Sequence, residues 1–241
     1  MRELRLWAAA AAAPAAAAGF YALATLRRRR SLHPGGIGYQ GQLQVRNDGS
    51  DWAGVPLLRP GTAHPALLRF SRAGLPEPLP DALGVAIKLP DAHGRGADQD
   101  LLLSGSADLP LLRRLLFPTR SFVRGAFSTA LPYDLGEERV VLLLVPVLTR
   151  SRRHRGGVTR GGSLAELRAA ADALGFELRT AGTFGRSRPL ATLSIGQPLP
   201  AEQTEALRFN PWTTGPGIHP SGWLNLLRDA AYRASQRGRR G

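Results

Sequence analysis

The sequence contains no cysteine, so disulfide bonds and thiolate metal sites are excluded. This absence fits a reducing compartment without requiring one. Aromatic residues make up only 7% of the chain, and no nucleic-acid-binding motif is present, which disfavours sequence-specific binding of nucleic acid. The sequence also lacks the HExxH zinc motif, the GxSxG nucleophile turn, a phosphate-binding loop and a dinucleotide fingerprint.

Acidic residues are also scarce. The 241 residues include 18 Asp and Glu against 32 Lys and Arg, a formal net charge of +14, and Lys88 is the only lysine. Such a charge permits binding to nucleic acid, anionic lipid or an acidic small molecule, although the excess of arginine partly reflects codon usage. With 43% hydrophobic residues the chain has enough apolar side chains for a sizeable core.

The N-terminal segment is rich in alanine. Residues 7–26 carry no charge and are long enough to span a bilayer, but alanine contributes little transfer energy and Pro14 interrupts the segment. The four arginines that follow favour a cytoplasmic position for the rest of the chain if the segment inserts. Two interpretations stay open, a membrane anchor and a soluble arm. We expect an arm at 1–30, a single domain at 31–241, and a cytoplasmic location with or without attachment to the inner face of the membrane.

Strand patterns dominate the rest of the chain, with few intervening helices. They predict an α+β protein built on an antiparallel β-barrel or sandwich with added helices. Alternating or continuous apolar runs indicate strands at 41–45, 66–72, 83–90, 100–105, 138–150, 176–184 and 189–199.

Helical patterns occur at three places. Leucine spacing predicts a helix within 108–127 that stops near Pro118, and 163–175 has a serine cap and a terminal Gly175. The segment 209–241 is a turn-rich lead into a basic helix. The charged, glycine-rich residues 150–162 indicate an exposed loop between these elements.

Histidine and tyrosine are the candidates for chemistry. Taken alone, His33 in the glycine-rich stretch RSLHPGGIGYQGQL fits a turn. Arg228 lies four residues before Tyr232, one helical turn away. A neighbouring guanidinium lowers the pKa of a tyrosine, and a phenolate is a good ligand for ferric iron, including that of haem. The remaining histidines lack metal-ligand spacing and fit solvated loops and turns: His64, His93, His154 and His219.

Five short fragments, in order, resemble the catalase family between about residues 30 and 240. The family's distal stretch R-x-x-H-x-x-G-x-G-x-x-G-x-F-x-V is matched except that Leu43 replaces phenylalanine. The matching residues are Arg30, His33, Gly36, Gly38, Gly41 and Val45; Arg69, Phe70 and Ser71; Asp81, Gly84, Ala86 and Lys88; Asp100 and Leu101; and Phe209, Pro211, Pro216, Gly217, Ile218, Arg228 and Tyr232.

The resemblance implies a pared-down haem barrel that lacks the family's long wrapping segment and C-terminal helical domain. It implies haem b as cofactor, a small peroxide or organic hydroperoxide as substrate, and oligomer formation as an option. His33 resembles the distal base and Ser71 the serine that orients it. Tyr232 resembles the proximal iron ligand, held ionised by Arg228. Three further arginines match positions that pair with haem propionates: Arg30, Arg69 and Arg239.

One position departs from the family pattern. Catalases carry a distal asparagine four residues after the aspartate of the D-L pair, where this sequence has Ser104, followed by Gly105. A serine side chain is shorter, and a misplacement of about 1 Å can cost ~100-fold in rate. Peroxidase-type turnover and a non-catalytic haem- or lipid-binding barrel, membrane-associated through residues 7–26, therefore both stay open. A third alternative is a basic barrel without haem that faces an acidic partner.

Overall fold

The protein is described by a computed structural model at residues 36–48, 52, 54–75, 79–148 and 162–221. Ten strands and two α-helices run through these ranges. The strands are β1 (Gly36–Val45), β2 (Ala63–Arg72), β3 (Leu83–Leu89), β4 (Gln99–Ser106), β5 (Ala126–Ser128), β6 (Tyr133–Leu135), β7 (Glu138–Leu148), β8 (Leu174–Ala181), β9 (Arg188–Pro198) and β10 (Ile218–Pro220), and the helices are α1 (Gly162–Ala170) and α2 (Ala201–Ala206).

Eight of the strands close into an antiparallel barrel. The order is β1-β2-β3-β4-β5-β7-β8-β9, and β9 pairs back with β1. Closure leaves none of the eight with an unpaired edge. The two remaining strands, β6 and β10, pair with each other, and β6 extends the sheet from β7. The predicted fold class, an α+β protein with an antiparallel barrel and added helices, is confirmed.

Apolar side chains fill the barrel from alternate positions of each strand. In β2, Leu68 and Phe70 are fully buried in the core, and Phe70 contacts the ring of Phe122 edge-on at 5.4 Å between centroids. In β3, Val85 and Ile87 face the same core. Because successive side chains of a strand point to opposite faces, the residues between these lie on the outside of the barrel.

The seven predicted strands all occur, and each alternating or apolar run lies within or overlaps β1 to β4 and β7 to β9. The helix predicted at 163–175 forms only as α1, followed by a 3₁₀ turn at Ala171–Ala173. Gly175 does not end this helix; it lies inside β8, opposite Val147. Strand pairing with β7 therefore overrides the helical pattern at its C-terminal end.

The helix predicted within 108–127 is wrong. The structure has a three-residue 3₁₀ turn at Leu112–Arg114 and a short strand, β5, at its end. Leu111 has a positive φ of 66°, which a right-handed helix excludes. The N–H of Phe117 donates to the Gly105 carbonyl of β4 at 2.8 Å and not to a residue of its own segment. The leucine spacing therefore does not mark a buried helical face.

Candidate site on the outer face of the barrel

A lateral row of small residues crosses the outer face of β1 to β5. Gly36 is paired with Ser71, Ser71 with Gly84, Gly84 with Ser104, and Ser104 with Ser128. Directly paired residues share a face of a sheet, so these five lie side by side on the outside of the barrel. Two of the predicted site residues, Ser71 and Ser104, therefore flank one glycine, roughly 10 Å apart at the strand spacing of ~4.8 Å.

The hydroxyl of Ser71 is buried although it lies on the outer face, since only 7% of the residue is exposed. Its Oγ–H donates a long hydrogen bond of 3.4 Å to the carbonyl oxygen of Gly84. A Cβ at Gly84 would lie 3.1 Å from that Oγ. The glycine thus leaves the space above the sheet to the serine side chain.

Arg69 lies next in the strand on the same face, paired with Gly38 and Ala86. A Cβ at Gly36 would lie 3.0 Å from the guanidinium carbon of Arg69, so the guanidinium lies over the first residue of β1. Desolvation by burial lowers the pKa of Arg69, partly offset by Glu205 and reinforced by Arg208. A partly desolvated guanidinium favours an anionic neighbour.

Helix α2 closes this face beside β1. Thr204 is buried against Gly38, where a Cβ would come within 2.5 Å of its Oγ1. Leu199 N–H donates to the carbonyl oxygen of Gly38 at 2.9 Å, just before the helix begins. The glycines after the His33 segment therefore admit α2 as well as Arg69.

Of the consecutive residues Ser104 and Gly105, only Ser104 contributes a side chain to the row of small residues. A Cβ at Gly105 would overlap Thr119 Cγ2 and would lie 2.8 Å from the carbonyl oxygen of Phe117. Gly105 is thus required for the approach of the following loop, whose Phe117 N–H donates to the Gly105 carbonyl at 2.8 Å. Ser104 is half-buried, and no side-chain hydrogen bond of it occurs within the described ranges.

Three of the fragments that resemble the catalase family meet in one ion-pair cluster next to this face. Lys88 Nζ lies 2.8 Å from Asp100 Oδ1 and 3.2 Å from Asp98 Oδ2. The backbone N–H of Asn210 donates to Asp100 Oδ2 at 2.8 Å, and the Phe209 ring lies 5.9 Å from the ammonium. Burial raises the pKa of Asp100, and Lys88 opposes that rise. These fragments therefore serve the fold rather than reacting groups.

Asp81 has a comparable structural role in the loop before β3. It is 1% exposed, and its carboxylate accepts hydrogen bonds from the backbone N–H groups of Gly74, Leu75 and Ala82. Its backbone forms a reciprocal pair of 2.9 Å hydrogen bonds with Thr119. The loop that follows β4 is thereby fixed beside the row of small residues.

The remaining predicted site residues lie outside the described residues. These are Arg30, His33, Arg228, Tyr232 and Arg239, together with the arm at 1–30, the loop at 150–161 and the C-terminal segment at 222–241. Of the predicted set, the structure brings together Arg69, Ser71 and Ser104.

Two histidines differ from their expected solvated positions. His64 lies in β2, and its Nε2 is 2.9 Å from the carbonyl oxygen of Leu57. His93 Nε2 is 3.0 Å from Gln99 Oε1, which also accepts from Gly215 N–H. Both are half-buried and have structural partners. Across the residues that the structure describes, no group of three or more His, Cys, Asp or Glu side chains is arranged to hold a metal ion.

Sequence reasoning missed Arg113, the largest fully buried side chain of the described chain. Its guanidinium donates to the carbonyl oxygens of Leu109, Gly182 and Gly185 at 3.2, 3.3 and 3.0 Å. Its carbonyl oxygen accepts from Ser128 Oγ at 2.5 Å. No sequence signal distinguishes this arginine from its 30 counterparts, because two of its three backbone partners lie 69 and 72 residues away in the chain.

The closed eight-stranded barrel with its few short helices defines the class of fold, and solved structures specify it further. A fungal catalase aligns with a TM-score of 0.53 and 14% identity over 83% of this chain and 58% of its own. A bacterial catalase aligns with a TM-score of 0.57 and 14% identity over 83% of this chain and 55% of its own. Catalase A from Saccharomyces cerevisiae aligns with a TM-score of 0.59 and 15% identity over 89% of this chain and 61% of its own.

The chain therefore has the catalase-like fold and spans 55–61% of the length of these catalases. No model of a protein family matches the sequence. No curated protein sequence matches it either. In the described ranges, none of the helices combines the length and the apolar character needed to cross a membrane.

Proposed function

We propose that the protein binds haem b on the outer face of the barrel and acts on a peroxide or organic hydroperoxide. The observation that carries the proposal is the juxtaposition of Arg69, Ser71 and the start of β1 on one face of a barrel with the catalase-like fold. By the family resemblance, Ser71 orients the distal histidine and Arg69 pairs with a haem propionate.

The fit of the described residues to haem rests on shape and charge. In the middle of the row, Gly84 and Ser104 carry no large side chain, which lets a flat group approach the sheet between the Arg69 guanidinium over Gly36 and the buried Ser128. Arg69 offers a partly desolvated guanidinium at the side of the row, and burial lowers its pKa. A bidentate carboxylate, such as a propionate, is the partner that a guanidinium fork matches best.

Chain connectivity supports a position for His33 near this face. His33 precedes Gly36 by three residues, and three residues span at most about 11 Å. Gly36 is paired directly with Ser71, the residue that in the resemblance orients the distal histidine. An imidazole within reach of Ser71 is thus compatible with the register of β1 and β2.

The roles follow from the chemistry of the side chains. Bound haem would supply the redox chemistry of ferric iron. His33 would accept a proton from one peroxide oxygen and return it to the other, a task suited to a group with a pKa near 6.5. Ser71 would orient His33. Tyr232 would hold the iron as a phenolate stabilised by Arg228, and Arg30, Arg69 and Arg239 would bind the propionates.

A second candidate is a haem-binding barrel without peroxide turnover. Ser104 favours it, because its hydroxyl is shorter than the amide of the family's asparagine and Gly105 has no room for a side chain. A peroxide would then lack one of the hydrogen bonds that align it, which costs rate steeply.

Peroxide turnover in two assays separates the two candidates, and oxygen evolution from hydrogen peroxide is the first of them. We expect the haem-loaded wild type to evolve oxygen and His33→Ala to lose most of that rate, because the proton transfer needs the imidazole. His219→Ala is the matched control, since His219 is an exposed histidine of β10, and it should retain the wild-type rate. Equal rates for wild type and His33→Ala, or a wild type that binds haem but evolves no oxygen, would exclude disproportionation of hydrogen peroxide. Loss of an organic hydroperoxide in the presence of a reducing donor, compared in the same variants, tests the peroxidase reaction, and equal rates there would exclude it as well.

A further inference from the structure

Two loops of the barrel are held together on its outside. The first is the segment 108–117 after β4, and the second is the turn 182–187 between β8 and β9. Leu111 N–H donates to the Thr183 carbonyl at 3.3 Å. The buried guanidinium of Arg113 binds the carbonyl oxygens of Gly182 and Gly185. The two loops therefore form one rigid unit.

Several large apolar side chains of this unit are exposed to solvent, whereas most side chains of this type in the described ranges are buried. Phe184 is 73% exposed, Leu109 55% and Leu111 51%, and Leu112 is also exposed. They are four of the seven large hydrophobic side chains exposed in the described ranges, and we call them the apolar loop patch. Single exposed leucines are ordinary, but a cluster with a phenylalanine at a turn tip marks an interaction surface.

The charge around the patch is positive. Arg186 lies on the tip beside Phe184, is exposed, and has no acidic partner within the described ranges. Arg114 donates to Thr183 Oγ1 at 2.9 Å, which holds a second guanidinium between the loops. The one acid of the two loops, Asp108, is engaged by Arg179 at 3.1 Å and by Ser187 at 2.7 Å. The rim therefore offers cations without a free carboxylate.

We propose that the apolar loop patch is a docking surface for an anionic lipid bilayer. Phe184 and the three leucines would enter the interface between headgroups and acyl chains, while Arg186 and Arg114 bind lipid phosphates. An apolar tip with a basic rim is the combination that gives interfacial binding. A second copy of this chain is disfavoured as the occupant, because each copy brings the same positive rim and a net charge of +14.

None of the patch residues belongs to the proposed haem site or to the segment 7–26, and a label placed within the patch reports on its immediate surroundings. The full-length chain has no cysteine, so Phe184→Cys gives a single site for an environment-sensitive fluorophore. With vesicles of phosphatidylcholine and phosphatidylglycerol, we expect a several-fold rise in emission and quenching by lipids that carry a nitroxide in the acyl chain. The rise should be much smaller with phosphatidylcholine alone, and should weaken in about 1 M salt, where the Debye length is ~3 Å.

The matched control is Val147→Cys with the same label. Val147 is an exposed apolar residue of β7, and the register with β8 separates it from Ala181 by six residues, roughly 20 Å. Its emission should not change with anionic vesicles. A second readout is vesicle sedimentation, in which Phe184→Asp should lower partitioning by ~10-fold or more and Arg186→Ser by ~5-fold.

Three outcomes would overturn the proposal. The first is an unchanged Phe184 label in the presence of anionic vesicles. The second is an equal response of the Val147 label. The third is a response of the Phe184 label to protein concentration in the absence of lipid, which would assign the patch to a second copy of the chain.

Discussion

At the residue scale, successive side chains of β2 alternate between the core and the outer face of the barrel. Arg69 and Ser71 flank the buried Phe70 in β2, so the same three residues fill the core and present a cation and a hydroxyl outside. The strand period of two explains this division without further assumptions.

The cation on this face leads to a prediction about haem affinity. Arg69→Gln should weaken haem binding by ~10-fold or more, because a charge-assisted hydrogen bond contributes about 1.5–3 kcal/mol. Arg59→Gln, at an exposed arginine of another loop, should leave the affinity unchanged. Titration of the apo-protein with hemin, followed by absorbance, measures both. Equal affinities of the two variants would remove Arg69 from the site.

Ser104 leads to a prediction of increased activity. Ser104→Asn should raise kcat/KM for hydrogen peroxide by ~10-fold or more, since an amide at this position restores the length of the family's side chain. Gly105→Asn should instead lower stability, because Thr119 and Phe117 fill the space that its side chain would need. Steady-state oxygen evolution and thermal unfolding give the two readouts. If Ser104→Asn folds, binds haem and is no faster, Ser104 is not at the position of the distal asparagine.

How far the residues could be predicted from sequence depended on their partners. Ser71 and Arg69 were found from a local motif and lie together on the outer face. His64, His93 and Arg113 were missed or misjudged, since each is fixed by a backbone carbonyl or amide that only the folded chain brings near. Hydrogen bonds of this kind leave no periodic signal in the sequence.

At the element scale, the ion pair between β3 and β4 connects the barrel to the segment after α2. Asp100 is 1% exposed and Lys88 16%, and Asn210 N–H completes the carboxylate's hydrogen bonds. Burial alone would lower the pKa of Lys88, but its bonds to Asp100 and Asp98 raise it above its usual value. Each charge of the pair therefore stabilises the other.

Removing the ammonium group of Lys88 tests how much the buried Asp100 carboxylate depends on it. Lys88→Met should lower the free energy of unfolding by about 3–5 kcal/mol at pH 7, because it leaves a buried carboxylate unpaired. Arg139→Met, which removes the partner of Asp134 from an exposed pair at 3.1 Å, should cost about 1 kcal/mol or less. Denaturant unfolding measures both, and equal costs would contradict a buried, interdependent pair.

The loss of unfolding free energy in Lys88→Met should depend on pH in a defined direction. The pKa of Asp100 is raised in the folded state by burial, so the folded state binds a proton more readily than the unfolded state. Lowering the pH through the raised pKa therefore stabilises the fold relative to neutral pH. In Lys88→Met this effect should grow, and the deficit against wild type should shrink as the pH falls toward that pKa. A deficit that is constant with pH would indicate lost packing alone.

Elements were predicted best where one signal dominated. The alternating run at 41–45 predicted β1, two short strand patterns predicted β2 and β3, and the continuous apolar run predicted β7. The helix within 108–127 was wrong because its leucines are spaced like a helical face but several of them lie in the apolar loop patch. A leucine period does not by itself distinguish a buried face from an exposed one.

At the scale of the whole molecule, closure of the barrel joins strands far apart in the chain. β9 pairs with β1, and β7 pairs with both β5 and β8. Patterning of single segments left a barrel and a sandwich equally open, and the family resemblance favoured the barrel. The long-range pairs could not be read from the sequence, because each strand pattern is compatible with several neighbours.

The visible spectrum of the 241-residue chain loaded with hemin tests the central claim most directly. We predict saturation at one haem per chain, with a Soret band of a tyrosinate-ligated ferric haem that Tyr232→Phe abolishes. Tyr39→Phe, at a tyrosine inside the barrel core, should preserve the band. A wild type that binds no haem, or a Tyr232→Phe variant with the wild-type spectrum, would contradict the account.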